Sequence, residues 1–177
     1  MLANGFEEVE ALAVVDVLKR AGIHVKMVSV TGDSLVTGAH DICIQADILF
    51  ESADFAECDM IFLPGGMPGT KNLAAHQGLT EQLVKFASDD KKWLAAICAA
   101  PSVLGELGLL EGKKAISYPG FEQMLKGAAI TDEKVVRDGH IFTSKGMGTA
   151  INLGLAIVES CIGKGEADAL AKSIQYQ

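Results

Sequence analysis

Trp93-Leu94-Ala95-Ala96-Ile97-Cys98-Ala99-Ala100-Pro101 is the stretch on which the fold turns. A short apolar run of strand length ends at Cys98, and Pro101 suits the first turn of a helix, where its missing N–H would have had no partner anyway. A strand that passes straight into a helix is the joint of a parallel α/β sheet. The same joint recurs outward. Residues 25–30 (VKMVSV) and 60–63 (MIFL) read as strands, and residues 6–20, 79–87, 100–107 and 149–159 as helices. Val9, Leu12, Ala13 and Val17 recur at helical spacing, and Arg20-Ala21-Gly22 is a helix stop. Residues 35–45 and 128–143 read as hairpins, the second turning at Asp138-Gly139. Without linker, repeat or low-complexity stretch, residues 1–177 are expected to form a single domain, an α/β sandwich with a mostly parallel sheet and helices on both faces.

Composition limits what such a domain can do. A net charge of −8 gives nucleic acid and anionic membrane no electrostatic reason to bind. No apolar stretch approaches the roughly 20 residues that span a bilayer. The start, MLANGFEEVEA, is acidic where a signal peptide would be basic, so a cytoplasmic setting and free thiols are expected. Cys43, Cys58, Cys98 and Cys161 form no CxxC pair and have no histidine at ligand spacing, so no metal site is expected.

In α/β sheets chemistry gathers where strands run out into loops, which singles out residues 4–10, 64–71 and 98–101. Cys98 stands at a sharp strand-to-helix turn flanked by small residues, the setting of a nucleophile elbow, where a helix N-terminus favours thiolate. A buried, inert cysteine fits the same local pattern. Cys43, Cys58 and Cys161 lack the setting. Leu63-Pro64-Gly65-Gly66-Met67-Pro68-Gly69 lets backbone approach a ligand closely, yet lacks the GK[ST] ending of a phosphate loop; Lys145-Gly146-Met147-Gly148 fails GxGxxG. Nucleotide binding is not expected, and tight turns explain both loops equally well. Glu7 and Glu8 suit a helix start. Glu10 falls on the inner flank, where a buried carboxyl tends to keep its proton.

Read together, Asn4-Gly5-Phe6-Glu7-Glu8-Val9-Glu10, residues 16–22, Leu63-Pro64-Gly65-Gly66, Ala95-Ala96-Ile97-Cys98-Ala99-Ala100-Pro101 and Thr143-Ser144-Lys145-Gly146-Met147-Gly148-Thr149 resemble the ThiJ/PfpI superfamily in its DJ-one-like branch, in order over nearly the whole chain. The resemblance implies a flavodoxin-like fold, a homodimer, and an acidic, easily oxidised elbow cysteine at Cys98. It makes Glu10 the protonated acid that hydrogen-bonds the sulfur, gives the oxyanion-hole amides to Gly66 and Ala99, and places Gly65 and Tyr118 along the pocket. Arg20 and His40 match positions lining an anion site near the dimer interface, with His40 standing where relatives have arginine. Hydrolytic relatives carry histidine after the cysteine, where this chain has Ala99, and a second family histidine is Tyr118 here. A cysteine peptidase or amidotransferase is therefore disfavoured, and His24, His40, His76 and His140 read as surface or strand residues. Two readings remain: a cofactor-independent glyoxalase or deglycase acting on a small carbonyl substrate, and a non-catalytic stress or chaperone-like protein signalling through oxidation of Cys98. The resemblance also implies a central strand of about five residues before Asn4, where only Met1-Leu2-Ala3 stand. The expectation is a numbering that begins inside that strand, leaving Glu10 with part of its support.

Overall fold

The computed structural model describes residues 1–176. In order the elements are α1 (Glu8–Arg20), β1 (Val28–Ser29), β2 (Leu35–Thr37), β3 (Cys43–Gln45), β4 (Ile48–Leu49), β5 (Met60–Leu63), α2 (Gly69–Ala75), α3 (Gln77–Ala87), β6 (Trp93–Ile97), α4 (Pro101–Glu106), β7 (Lys114–Ala115), β8 (Ala129–Ile130), β9 (Val135–Asp138), β10 (Ile141–Ser144), α5 (Ala150–Cys161) and α6 (Lys164–Ser173).

Strands β5, β6 and β10 run parallel in that spatial order, with β9 antiparallel at the edge. On β6, Leu94 and Ala96 join one apolar cluster with Leu73, Leu79, Leu83 and Leu104, while Ala95 and Ile97 join another with Val14, Val17, Leu153 and Ile157. Alternation along an extended chain thus feeds two cores at once, one under α2, α3 and α4, the other under α1 and α5. Each fully buried leucine contributes about 2 kcal/mol, which is why the sheet must be covered on both sides. This is the expected α/β sandwich.

Residues 1–3 occupy the place between β1 and β5. The Leu2 N–H donates to the Val28 carbonyl at 2.7 Å, the Leu2 carbonyl accepts the Val30 N–H at 2.9 Å, and the amine of Met1 donates to the Phe62 carbonyl at 2.8 Å. Leu2 and Ala3 are buried, and residues 1–3 join β1 to β5.

Several boundaries differ from the expected ones. The first helix begins at Glu8 rather than Phe6, because the preceding backbone is committed elsewhere. Glu7 is extended, its N–H donates to the Gly65 carbonyl at 2.9 Å, and the Gly5 carbonyl accepts the Gly69 N–H at 3.0 Å. Strand β1 is shorter than 25–30, since the Met27 N–H goes to the Asp47 carboxylate at 2.6 Å. The hairpin of β2 and β3 forms as expected, and the second turns near Asp138-Gly139, but only β9 and β10 make it. The residues before it form β8, which runs parallel to β7. Among the described residues no helix is long and apolar enough to cross a membrane.

Candidate active site

Strands β5, β6 and β10 end on the same side and release the loops that carry the candidate residues, as an open α/β sheet requires. At the end of β6, Cys98 has φ +64°, a left-handed backbone that a side chain occupies only under constraint. Two hydrogen bonds supply that constraint. The Cys98 N–H donates to the Ser144 carbonyl at 2.9 Å, and the Cys98 carbonyl accepts the Tyr118 N–H at 2.8 Å. The turn aims a half-buried sulfur into the angle between the loop after β5 and the start of α1.

Glu10, on the first turn of α1, meets the sulfur there. It is 1% exposed, its carboxyl lies against Cys98 across Gly65, and its Oε2 accepts the Gly65 N–H at 2.9 Å. The glycine at 65 is forced by space: a Cβ there would lie 2.6 Å from the Cys98 Cβ and 2.6 Å from Glu10 Oε2. Gly66, at φ +91°, brings its backbone against residues 5–7. Its N–H and that of Ala99 favour the anion of the sulfur. The Met147 N–H, from the loop after β10, favours the anion of the Glu10 carboxyl as well.

Burial raises the Glu10 carboxyl to about 7, against hydrogen bonds from Cys98, Gly65 and Met147 that favour the anion, and the nearby Glu7 raises it further. Burial, together with repulsion from Glu10, pushes the Cys98 thiol up to about 12, the Ala99 and Gly66 amides opposing this. Two acids in contact lose their protons in two steps that belong to the pair. Between those steps Glu10 and Cys98 share one proton and one negative charge. At Cys98 burial and the carboxylate neighbour act against the amides at the start of α4, which spans six residues.

Cys98, Glu10, Gly65, Gly66 and Ala99 thus converge as the sequence suggested. Tyr118 stands beside them, half exposed, its ring near Gly146. Arg20 and His40 do not join them within one chain. Arg20 ends α1, about 15 Å along the helix from Glu10, and pairs with Asp16 at 2.5 Å. His40 is held by buried Glu8: its N–H donates to Oε1 at 2.7 Å and its Nδ1 lies 2.8 Å from Oε2. Ligand-type atoms of Glu7, Glu8 and His40 lie within 4.8 Å of one another, but both Glu8 oxygens are already engaged by His40. All four cysteines are unpaired. The Met147 amide escaped the sequence reading because a backbone donor has no side-chain signature; the quoted 143–149 stretch was the only pointer to it.

A flavodoxin-like sandwich with a left-handed cysteine elbow against a buried carboxyl defines a recognisable class of protein. The DJ-1/PfpI family model matches residues 1–160, and the chain belongs to that family. It is 40% identical over 173 residues to protein DJ-1 homolog A of Arabidopsis thaliana, covering 96% of this chain and 44% of that protein. The chain spans less than half the length of that plant relative and of its homolog B. It is 30% identical over 182 residues to a Schizosaccharomyces pombe protein named glutathione-independent glyoxalase DJ-1, covering 98% of this chain and 95% of that one. The solved structure of oxidized Toxoplasma gondii DJ-1 superimposes with a TM-score of 0.93 at 34% identity, covering 99% of this chain and 95% of that one.

Proposed function

We propose that this protein converts small reactive carbonyls by glyoxalase- or deglycase-like chemistry, with Cys98 as nucleophile and Glu10 as proton carrier. The observation that carries the reading is the buried Glu10 carboxyl set against Cys98 at a constrained elbow, with the Gly66 and Ala99 amides favouring the sulfur's anion. The glyoxalase-named relative supports it.

On methylglyoxal the steps balance without a cofactor. The sulfur bonds to the aldehyde carbon, the carbonyl electrons move to oxygen, and the proton shared by the pair follows them, giving a hemithioacetal and a Glu10 carboxylate. That carboxylate removes the C1 proton and returns it to C2, so C1 is oxidised as C2 is reduced and a 2-hydroxy thioester results. Water hydrolyses the thioester to lactate and frees the thiol. Amides aimed at a developing oxyanion are worth about 3 kcal/mol each, and an acid–base group near 7 is matched to neutral pH.

A second reading draws on the same donors: peroxide oxidises Cys98 to sulfinate, whose oxygens take the Glu10 proton and the two amides, and no substrate turns over. Incubation with methylglyoxal and measurement of lactate separates the two. Turnover lost in Cys98→Ser and in Glu10→Gln supports the enzyme. No lactate from pure reduced protein, together with ready sulfinate formation under mild peroxide, sinks it. Family membership also suggests a cytoplasmic homodimer; sedimentation as a monomer at micromolar concentration would remove the dimer.

A further inference from the structure

The loop after β10 is tied by hydroxyl groups that the proposed chemistry does not touch. Ser144, fully buried, donates its Oγ–H to the Lys134 carbonyl at 2.8 Å and stands 2.7 Å from Thr149 Oγ1. Thr149 Oγ1 accepts the Gly146 N–H at 3.1 Å, while the Thr149 N–H donates to the Gly146 carbonyl at 2.8 Å. Thr149 Oγ1 also lies 2.9 Å from the Gly146 carbonyl, and a hydroxyl has one hydrogen to give, so Gly146, Thr149 and Ser144 form one hydroxyl network anchored at the Lys134 carbonyl. Residues 146–149 are thereby closed into a single turn, reciprocally bonded as in a capping box.

That turn faces the working pair. A Cβ built on Gly146 would lie 3.8 Å from Glu10 Oε1, the carboxyl oxygen not taken by Gly65, and the next amide along, that of Met147, favours the anion of the same carboxyl. The Ser144 carbonyl also holds the Cys98 N–H. One buried serine therefore braces both partners of the pair from behind.

We infer that Thr149 is a positioning residue: its hydroxyl, braced by Ser144, fixes the direction from which the Met147 N–H reaches Glu10, and so how readily the Glu10–Cys98 pair gives up its first proton. The titratable groups acting on Glu10 are Cys98 and Glu7, and neither belongs to this loop. The inference rests on Glu10 and Cys98 being the working pair, and its test does not require carbonyl turnover.

The test follows the rate of Cys98 alkylation by iodoacetamide against pH, read at the Cys98 peptide by mass spectrometry. The midpoint of the unmodified chain is the reference against which each variant is read. Thr149→Val removes the hydroxyl and keeps the shape; losing one hydrogen bond to the anion moves the midpoint up by about half a unit or more. Thr149→Ser restores it. Combined with Glu10→Gln, the valine variant adds no further shift. An unmoved midpoint in Thr149→Val, an equal shift in Thr149→Ser, or a shift that persists without the Glu10 carboxyl overturns the inference. Should Thr149→Val fail to fold, Ser144→Ala takes its place, with an upward shift expected and no shift overturning the idea. Absence of lactate formation by the unmodified chain defeats the catalytic reading and leaves the midpoint experiment decisive for Thr149.

Discussion

Gly65 and Glu10 meet at 2.9 Å, the glycine N–H donating to Oε2 in a space with no room for a methyl group. The loop after β5 is thus fitted to the first turn of α1 atom by atom. In Gly65→Ala the new Cβ overlaps both the Cys98 Cβ and Glu10 Oε2. Expected are a loss of about 1–3 kcal/mol in urea denaturation, the usual cost of overpacking, and a Cys98 alkylation midpoint displaced from that of the parent. A variant as stable as the parent with an unchanged midpoint would show that the loop can yield.

The raised Glu10 carboxyl makes stability fall with pH. Its pKa rises from 4.5 to about 7 on folding, so the folded chain holds a proton that the unfolded chain has released across that interval. The group's stabilisation is complete below 4.5 and is lost as pH rises through 7. Glu10→Gln mimics the protonated form and escapes the loss. It should exceed the parent in stability at pH 8 by up to about 3 kcal/mol, and by little at pH 4.5, in urea titrations at both values. A gain no larger at pH 8 than at pH 4.5 would remove the account.

Glu8 and His40 work in the opposite sense. Burial raises Glu8, but the bonds from the His40 ring and backbone outweigh it and hold the carboxyl below 4.5; the same ring bond, aided by the charges of Glu7 and Glu8, holds His40 above 6.5. The carboxylate's contribution is lost as pH falls through its lowered pKa, the imidazolium's as pH rises through its raised one. His40→Ala should lower the melting temperature most between pH 4.5 and 6.5 and less at pH 9. An equal drop at pH 5.5 and pH 9 would show that the charge pair contributes nothing.

Helix α5 approaches α1 closely at Gly154, where a Cβ would lie 2.8 Å from a Val17 methyl. Gly154→Ala gains helix propensity of about 1 kcal/mol but forces α1 outward, and a net loss of roughly 1 kcal/mol is expected. Since α1 carries Glu10, alkylation of Cys98 should slow in the same variant. Calorimetry and the alkylation rate together check it, and a more stable variant would mean that the helices separate easily.

Much of this was legible in the chain because it rests on local chemistry. The run from Trp93 to Pro101 contains both the strand and the reason it stops, and the small residues around Cys98 announce a tight turn. Glu10 was readable from its place on a helix flank. What stayed hidden depends on partners distant in sequence. The start of α1 slips to Glu8 because residues 5–7 bond a loop some 60 residues on. Helices α2 and α6 and the parallel pair β7–β8 lie in stretches whose apolar periodicity is too brief to read. Arg20 shares a helix with Glu10, but its remoteness from the pair shows only when the helix is built. The mutual influence of sulfur and carboxyl belongs to neither residue alone, so no inspection of Cys98 or its sequence neighbours would reveal it.

The left-handed backbone at Cys98 has a consequence for how such a chain tolerates change. A cysteine held at φ +64° costs about 1 kcal/mol or more that glycine would not incur. Cys98→Gly should therefore melt higher than the parent while losing thiol chemistry altogether. Among variants selected for heat resistance alone, cysteine would be displaced at position 98 early, whereas Leu63 or Leu94 would persist. The residue most readily surrendered under that pressure is the one on which the proposed activity depends, so durability and chemistry pull this fold in opposite directions at a single side chain.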